Sequence, residues 1–284
     1  LITTKRGKDS PMHIDVRANV GVNVPKAYPK YLDADCYMTM YNEACRNDGI
    51  AERYDAGTIY NTAMGTNPYR YPDIDFYSSD YLKKFYTNSD VTGEVYGGNE
   101  KTHYYLNFGM NYANSLLKYG ESKKAYDMSF NVRGNVDMTL APWLKATTNA
   151  AIIFDNSYQG RGDFWGAAST LRPNWFAPLL PIDMMDPNVA YIQEYITNSN
   201  HLIDGKYLLG GTSADTTNPF SELLAAGYTK EKARRFMFDV AVMADLGGLL
   251  KGLYFKTAYR VDYTSYYSEA YAEKYAIYEP KWAN

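Results

Sequence analysis

Cysteine and histidine are scarce in this sequence, which holds only Cys36 and Cys45 of the first and His13, His103 and His201 of the second. The two cysteines fall in one predicted helix, where a rise of about 1.5 Å per residue separates them by roughly 13 Å, well beyond the ~7 Å that a disulfide bridges. Both are therefore expected as buried thiols. No histidine has a Cys, His or carboxylate at metal-ligand spacing within one element, and no G-x-S-x-G motif occurs, so neither a metal site, a cofactor nor an enzyme is indicated. Long apolar runs are missing too. The stretch 175–182 is short and broken by Pro178 and Pro181, whereas a spanning helix needs about 20 apolar residues. The first residues show no charged region followed by an apolar stretch of the secretory-signal kind. Basic blocks are absent and the net charge is -3, which leaves no electrostatic footprint for nucleic acid.

What is present is apolar content of 46%, enough to fold, and 30 tyrosines. Tyrosine suits surfaces that are apolar on one side and wet on the other, such as membrane interfaces and carbohydrate grooves. The informative pattern is a period of two. Across residues 12–24 every even position is apolar (Met12, Ile14, Val16, Ala18, Val20, Val22, Val24), while His13, Asp15, Arg17 and Asn19 occupy odd ones. The same alternation marks 102–112, 126–140, 144–154, 236–246 and 253–263, with a weaker instance at 89–97 around Val91 and Val95. These read as seven strands with one greasy face.

No Asp, Glu, Lys or Arg occupies the apolar face of any of the seven segments, in a chain that is 21% charged. Lipid contact demands that. The opposite face carries Asp15, Arg17, Glu94, Asp127, Arg133, Asp137, Asp239, Arg260 and Asp262. A soluble glycan-binding β-sandwich also alternates, but its strands usually run about five or six residues, and several here are long enough to cross a bilayer at a tilt. Turn signals at 97–100, 141–142 and 247–248 alternate with connections at about 25–88, 115–124 and 156–234. Such alternation fits short turns on the periplasmic side and long loops outside. The expected fold class is all-β: a transmembrane antiparallel β-barrel, represented by about seven strands, with long extracellular loops containing short helices. Seven strands do not close a bacterial barrel, so the sequence is expected to be part of a longer chain.

Several stretches carry a resemblance. LITTKRGK (1–8), YNEACRNDG (41–49), YPDIDFY (71–77), GGNEKTHYYLNFGMNY (97–112), NPFSELLAAGY (218–228) and LLKGLYFKTAYRVDY (249–263) resemble, in family order, the SusC/RagA family of TonB-dependent outer-membrane receptors. The resemblance implies that 1–11 end a plug domain. Residues 12–266 would form the first seven strands of a plugged barrel of about 22 strands, and 267–284 would begin the next extracellular loop. It further implies import of a large nutrient, an oligosaccharide or peptide, across the outer membrane. The implied partners are a SusD-like surface lipoprotein as lid and the TonB complex, engaged through an N-terminal region outside this sequence.

The loop 156–234 carries the candidate substrate- or partner-binding residues Tyr158, Arg161, Asp163, Phe164, Trp165, Trp175 and Phe176. Its aromatic rings could stack on sugars or meet a lid, or they could pack the loop; both readings stay open. Burial of those rings argues that the loop is ordered. Arg161-Gly162-Asp163 is an RGD tripeptide, which would suit a non-transporting adhesin or structural barrel, yet so short a motif arises readily by chance. A helix is expected near 34–47, capped by Asp33 and Gly49, with Cys36, Met40 and Ala44 on its packed face. His13 and His103 belong to the polar strand faces.

Overall fold

The computed structural model describes residues 5–198, 202–213 and 218–282. Residues 1–4 of the LITTKRGK segment, His201, and residues 283 and 284 of the expected final loop lie outside them. The strands are β1 (Ser10–Asn23), β2 (Tyr86–Asn99), β3 (Thr102–Asn114), β4 (Tyr126–Ala141), β5 (Leu144–Gly160), β6 (Leu179–Pro181), β7 (Tyr207–Leu209), β8 (Gly227–Asp245) and β9 (Tyr254–Ala272). The helices are α1 (Ala34–Asn47), α2 (Ala56–Ala63), α3 (Gly120–Lys123), α4 (Phe164–Thr170), α5 (Ala190–Asn198) and α6 (Pro219–Ala225). Seven long strands make one antiparallel sheet in the order β1-β2-β3-β4-β5-β8-β9, and β6 and β7 pair separately.

The register joins the apolar rows of all seven strands into one face. Val16 pairs with Gly93, Gly93 with Phe108, Phe108 with Val132, Val132 with Ile152, Ile152 with Phe236 and Phe236 with Tyr263. The parity changes from even to odd at β2 and β9 follow from this pairing, because directly opposed residues share a face. β2 reads weakly in sequence since its apolar row contains Gly93 and Gly97. Cross-strand rings fill those gaps: a Cβ at Gly93 would lie 2.3 Å from the Phe108 ring. Among the described residues no second sheet covers this face, and Met12, Ile14, Val16, Val20 and Val22 are all exposed. A sandwich would bury them. No described helix is long and apolar enough to cross a membrane, which says nothing of crossing by strands.

Several expected boundaries move. β5 runs on to Gly160 and β8 begins at Gly227, so the connection between them is 161–226 and not 156–234, and Tyr158 is a strand residue. β9 reaches Ala272, past the expected boundary at 266, so residues 267–272 extend the sheet. The added lengths are rich in charge, and Lys230, Lys232, Arg234 and Glu269 now stand at the loop end of the apolar face. Periodicity in hydropathy could not reveal them, because the backbone ladder continues where the apolar pattern stops.

The helix at Ala34–Asn47 has the expected span but another buried face, consisting of Ala34, Met38, Asn42 and Cys45. Cys36 and Met40 are exposed, which corrects the expectation of two buried thiols. Asp33 makes no side-chain cap; Asp73, from later in the same loop, accepts the Ala34 N–H at 2.8 Å. Asn42 replaces a local anchor by holding the N–H groups of Arg53 and Tyr54 at 3.0 Å each. A buried amide with two backbone partners fixes the face that packs.

The three long connections build one unit at the loop end. Phe76, Tyr77 and Leu82 from the first pack with Phe164, Ala168, Phe220 and Leu223 from the third, and Leu116 and Leu117 from the second close the cluster. Ser122 donates to the Leu223 carbonyl at 2.6 Å, tying α3 to α6. That approach needs glycine at position 120, where φ is +58° and a Cβ would sit 2.5 Å from the Leu224 oxygen. Burial pushes the Tyr119 phenol up to about 12, with Tyr207 beside it adding to the shift. A raised folded value means stability is complete below the ordinary tyrosine pKa of about 10 and is lost as pH rises from there toward 12. In an alkaline titration followed by phenolate absorbance, Tyr119→Phe should remove one late-ionising tyrosine and lessen the loss of loop stability above pH 10; an unchanged profile would contradict this.

Candidate functional site

Two regions have the geometry to meet a ligand. The first is the polar face of the sheet. Residues at the start of the described chain lie across it: Lys5 contacts Glu94 at 2.5 Å and Arg6 contacts Asp137 at 2.5 Å. The Asn135 amide donates to the Lys5 carbonyl at 3.1 Å, and Arg6 also reaches Asn149 at 3.4 Å. Asn149 in turn donates to Asp239, and the Tyr105 hydroxyl to Glu94. Lys5 sits 4.5 Å from the centre of the Tyr96 ring, itself stacked on His13 at 5.1 Å. These partners come from β1 to β5 and β8, so alternation alone delivers them to one surface.

Toward the loops the polar face holds a hollow of about 550 Å³, lined by Asp90, Asn111, Asp127, Ser129, Asp155 and Glu231 among others. Asn19 donates to Asp90 at 2.8 Å and Ser129 to Asp155 at 2.7 Å. Carboxylates line the hollow together with Tyr112, Met128 and Tyr266, so it offers charge beside apolar surface. Among the described residues no group of three or more His, Cys, Asp and Glu is placed to hold a metal.

The second region is a cleft in the loop unit. Tyr31 stacks on Tyr77 with centroids 5.8 Å apart, and Tyr77 stacks on Trp165 at 6.0 Å. Tyr77 is buried while Trp165 is 47% exposed and Tyr31 57% exposed, so the three-ring stack is anchored in the middle and open at both ends. Asp75 accepts the Tyr77 N–H at 3.0 Å, and Ile74 donates to the Pro173 carbonyl at 3.0 Å, which locks the first loop to the third. The adjoining hollow, about 240 Å³, is lined by Tyr31, Asp73, Asp75, Tyr77, Leu171 and Pro173 among others. Rings with acidic neighbours offer stacking and a hydrogen-bond rim to a sugar or a peptide side chain.

The sequence-derived candidates are scattered across this region. Asp163 caps α4 by accepting the Trp165 N–H at 3.1 Å, so the RGD carboxylate is a structural acceptor that sets the tryptophan. Arg161 is joined to β8 through its N–H and the Gly227 carbonyl at 3.3 Å. Phe164 is buried against Phe220 at 5.4 Å. Trp175 and Phe176 form a separate pair at 5.3 Å, with Arg172 over the Trp175 ring at 5.0 Å. Tyr158 stands apart on the apolar face and donates its hydroxyl to Glu121. Tyr31 and Tyr77 escape a reading of one loop at a time, because the stack is assembled from two.

No protein-family model matches the chain, and no curated protein matches it. Solved structures do share its fold. The structure of the RagAB peptide importer in the 'closed-closed' state matches at 14% identity with a TM-score of 0.62 over 94% of this chain and 30% of that one. The structure of the RagAB peptide transporter matches at 15% identity with the same TM-score and coverage. The importer in the 'open-open' state matches at 14% identity and a TM-score of 0.60, over 94% of this chain and 29% of that one. At such identity the similarity is one of fold. This chain spans about 30% of the length of the structures it matches.

Proposed function

We propose that this sheet is an arc of an outer-membrane β-barrel in a TonB-dependent importer of the SusC/RagA type, with its apolar face against lipid and its polar face lining the lumen. The observation that carries the reading is the skew of the charge-free band. The row through Val22 passes Tyr126 and Tyr158 and reaches β8 at Lys230, six residues before the apolar stretch resumes at Phe236. Six residues are about 20 Å along a strand, and five interstrand steps are about 24 Å across, which corresponds to a tilt of roughly 40°. Barrel strands tilt by about 35–45° against a level membrane. A level band across tilted strands has to be skewed in this way.

On this reading the plug ends before β1 opens at Ser10, with Lys5 and Arg6 held against the lumen wall, and the loop unit is extracellular. The acidic hollow and the three-ring cleft receive an oligosaccharide or peptide, under a SusD-like lipoprotein lid and with import driven by the TonB complex. The fold likeness to peptide importers supports peptide as the cargo class. The capping role of Asp163 leaves the adhesin alternative without support beyond the tripeptide itself.

The test is the Trp165→Ala, Trp175→Ala double variant of the full-length receptor. Substrate uptake or lid association should fall several-fold while barrel insertion is unchanged. Normal uptake together with normal lid association would reduce both tryptophans to loop packing.

A further inference from the structure

The charged positions at the loop end of the apolar face call for a ligand of two characters. Lys230, Lys232 and Arg234 alternate along β8 and point to the same side as Phe236 and Phe238. At about 6.7 Å per alternate residue the three cations span roughly 13 Å directly above the charge-free band. The carboxylates facing them are Glu269 on β9 and Glu121 on α3. Lys230 lies 4.0 Å from Glu269, and Glu121 is engaged by Lys124 at 2.7 Å. Neither Lys232 nor Arg234 belongs to an ion pair among the described residues, and both are exposed.

Rings flank the stripe. Tyr158, Tyr228 and Tyr271 stack in succession with centroids 5.0 and 5.5 Å apart, and Lys230 sits 4.4 Å from the Tyr228 centroid. Lys232 lies 5.9 Å from that of Tyr267. A soluble anion would satisfy the cations and leave the apolar rows below them untouched. A neutral lipid would do the reverse.

We propose that Lys232 and Arg234, with Lys230 behind them, form a binding site for the phosphorylated headgroup of an outer-leaflet lipid whose acyl chains descend over Phe236 and Phe238. The inference rests on the membrane placement proposed above. Charge complementarity selects an anionic head, and the uninterrupted passage from cations to apolar surface selects a lipid over free phosphate. The site lies outside the barrel wall, on the side away from the acidic hollow, so it holds the receptor in its leaflet and takes no part in cargo recognition.

The experiment uses full-length protein in neutral detergent, with native mass spectrometry to count retained lipid. Bisphosphorylated lipid A is the probe, phosphatidylcholine the neutral control and inorganic phosphate the competitor. Wild type should retain lipid A selectively, and Lys232→Gln with Arg234→Gln should weaken retention at least tenfold, with a shallower salt dependence. Lysine at position 234 should restore part of it. Unchanged retention in the double variant, or equally effective competition by inorganic phosphate at matched concentration, would overturn the proposal. A Phe238→Trp reporter in vesicles containing brominated acyl chains separates this site from the membrane placement it rests on. Quenching with unchanged lipid A retention overturns this site alone, and absence of quenching overturns the membrane placement as well.

Discussion

Phe220→Ala is expected to cost about 3–5 kcal/mol of loop-unit stability, the range for truncating a fully buried phenylalanine. Phe220 is 2% exposed. It stacks on Phe76 at 4.6 Å, lies 5.4 Å from Phe164 and 6.0 Å from Tyr81, so it joins the first and third long connections at one point. Truncation leaves a cavity that neither connection can close without dragging Tyr77 and Trp165 from their stack. Amide hydrogen exchange on the full-length protein should show faster opening across α4, α6 and residues 74–82, while amides in the middle of β3 and β4 keep their protection. Phe220→Leu, which preserves most of the volume, should lose much less. Uniform acceleration through the sheet would mean that the loop unit and the sheet unfold together, contrary to the separate cluster seen here.

The second large effect concerns the assignment of faces. Val240 is in the middle of the charge-free stretch of β8, opposite Thr148 and Tyr259. On the proposed placement Val240→Arg puts a guanidinium near the bilayer midplane and should cost about 2–4 kcal/mol in a refolding titration. Phe130→Arg should cost less, because Phe130 lies toward the loop end of the band and a long side chain there can reach the interface. Asn131→Arg, on the polar face of β4, should cost little. Equal losses at all three positions would contradict a single lipid-facing surface and with it the function proposed from that surface.

Much of the sheet was legible from alternation because burial or lipid contact imposes a period of two that no other backbone geometry produces. The seven segments appear as seven paired strands, including the weak one at β2, whose glycines are covered by rings from β3. The strand ends were not legible. Gln159, Lys230 and Glu269 continue the hydrogen-bonded ladder in charged or polar sequence, where hydropathy has no reason to alternate. Within the loops the failures share one cause. Asp33 has the adjacency a cap of α1 needs, yet Asp73 supplies the acceptor from the same loop folded back. Trp165 stands out in sequence as a large ring in a long loop, but its neighbours Tyr77 and Tyr31 come from a connection more than 80 residues earlier.

What is local and periodic can be read one strand at a time: seven strands, a charge-free stretch on one face of each, the alternation of short and long connections, and the scarcity of residues that do covalent or metal chemistry. These follow from side-chain polarity repeated along an extended backbone, and they need no knowledge of which strand lies beside which. The register that merges seven separate rows into one skewed band, the docking of Lys5 and Arg6 on the polar face, and the assembly of a three-ring cleft from two loops emerge only in the folded chain. Each of these depends on contacts between residues far apart in the chain, where the free energy belongs to the pair and neither residue carries a mark of its partner.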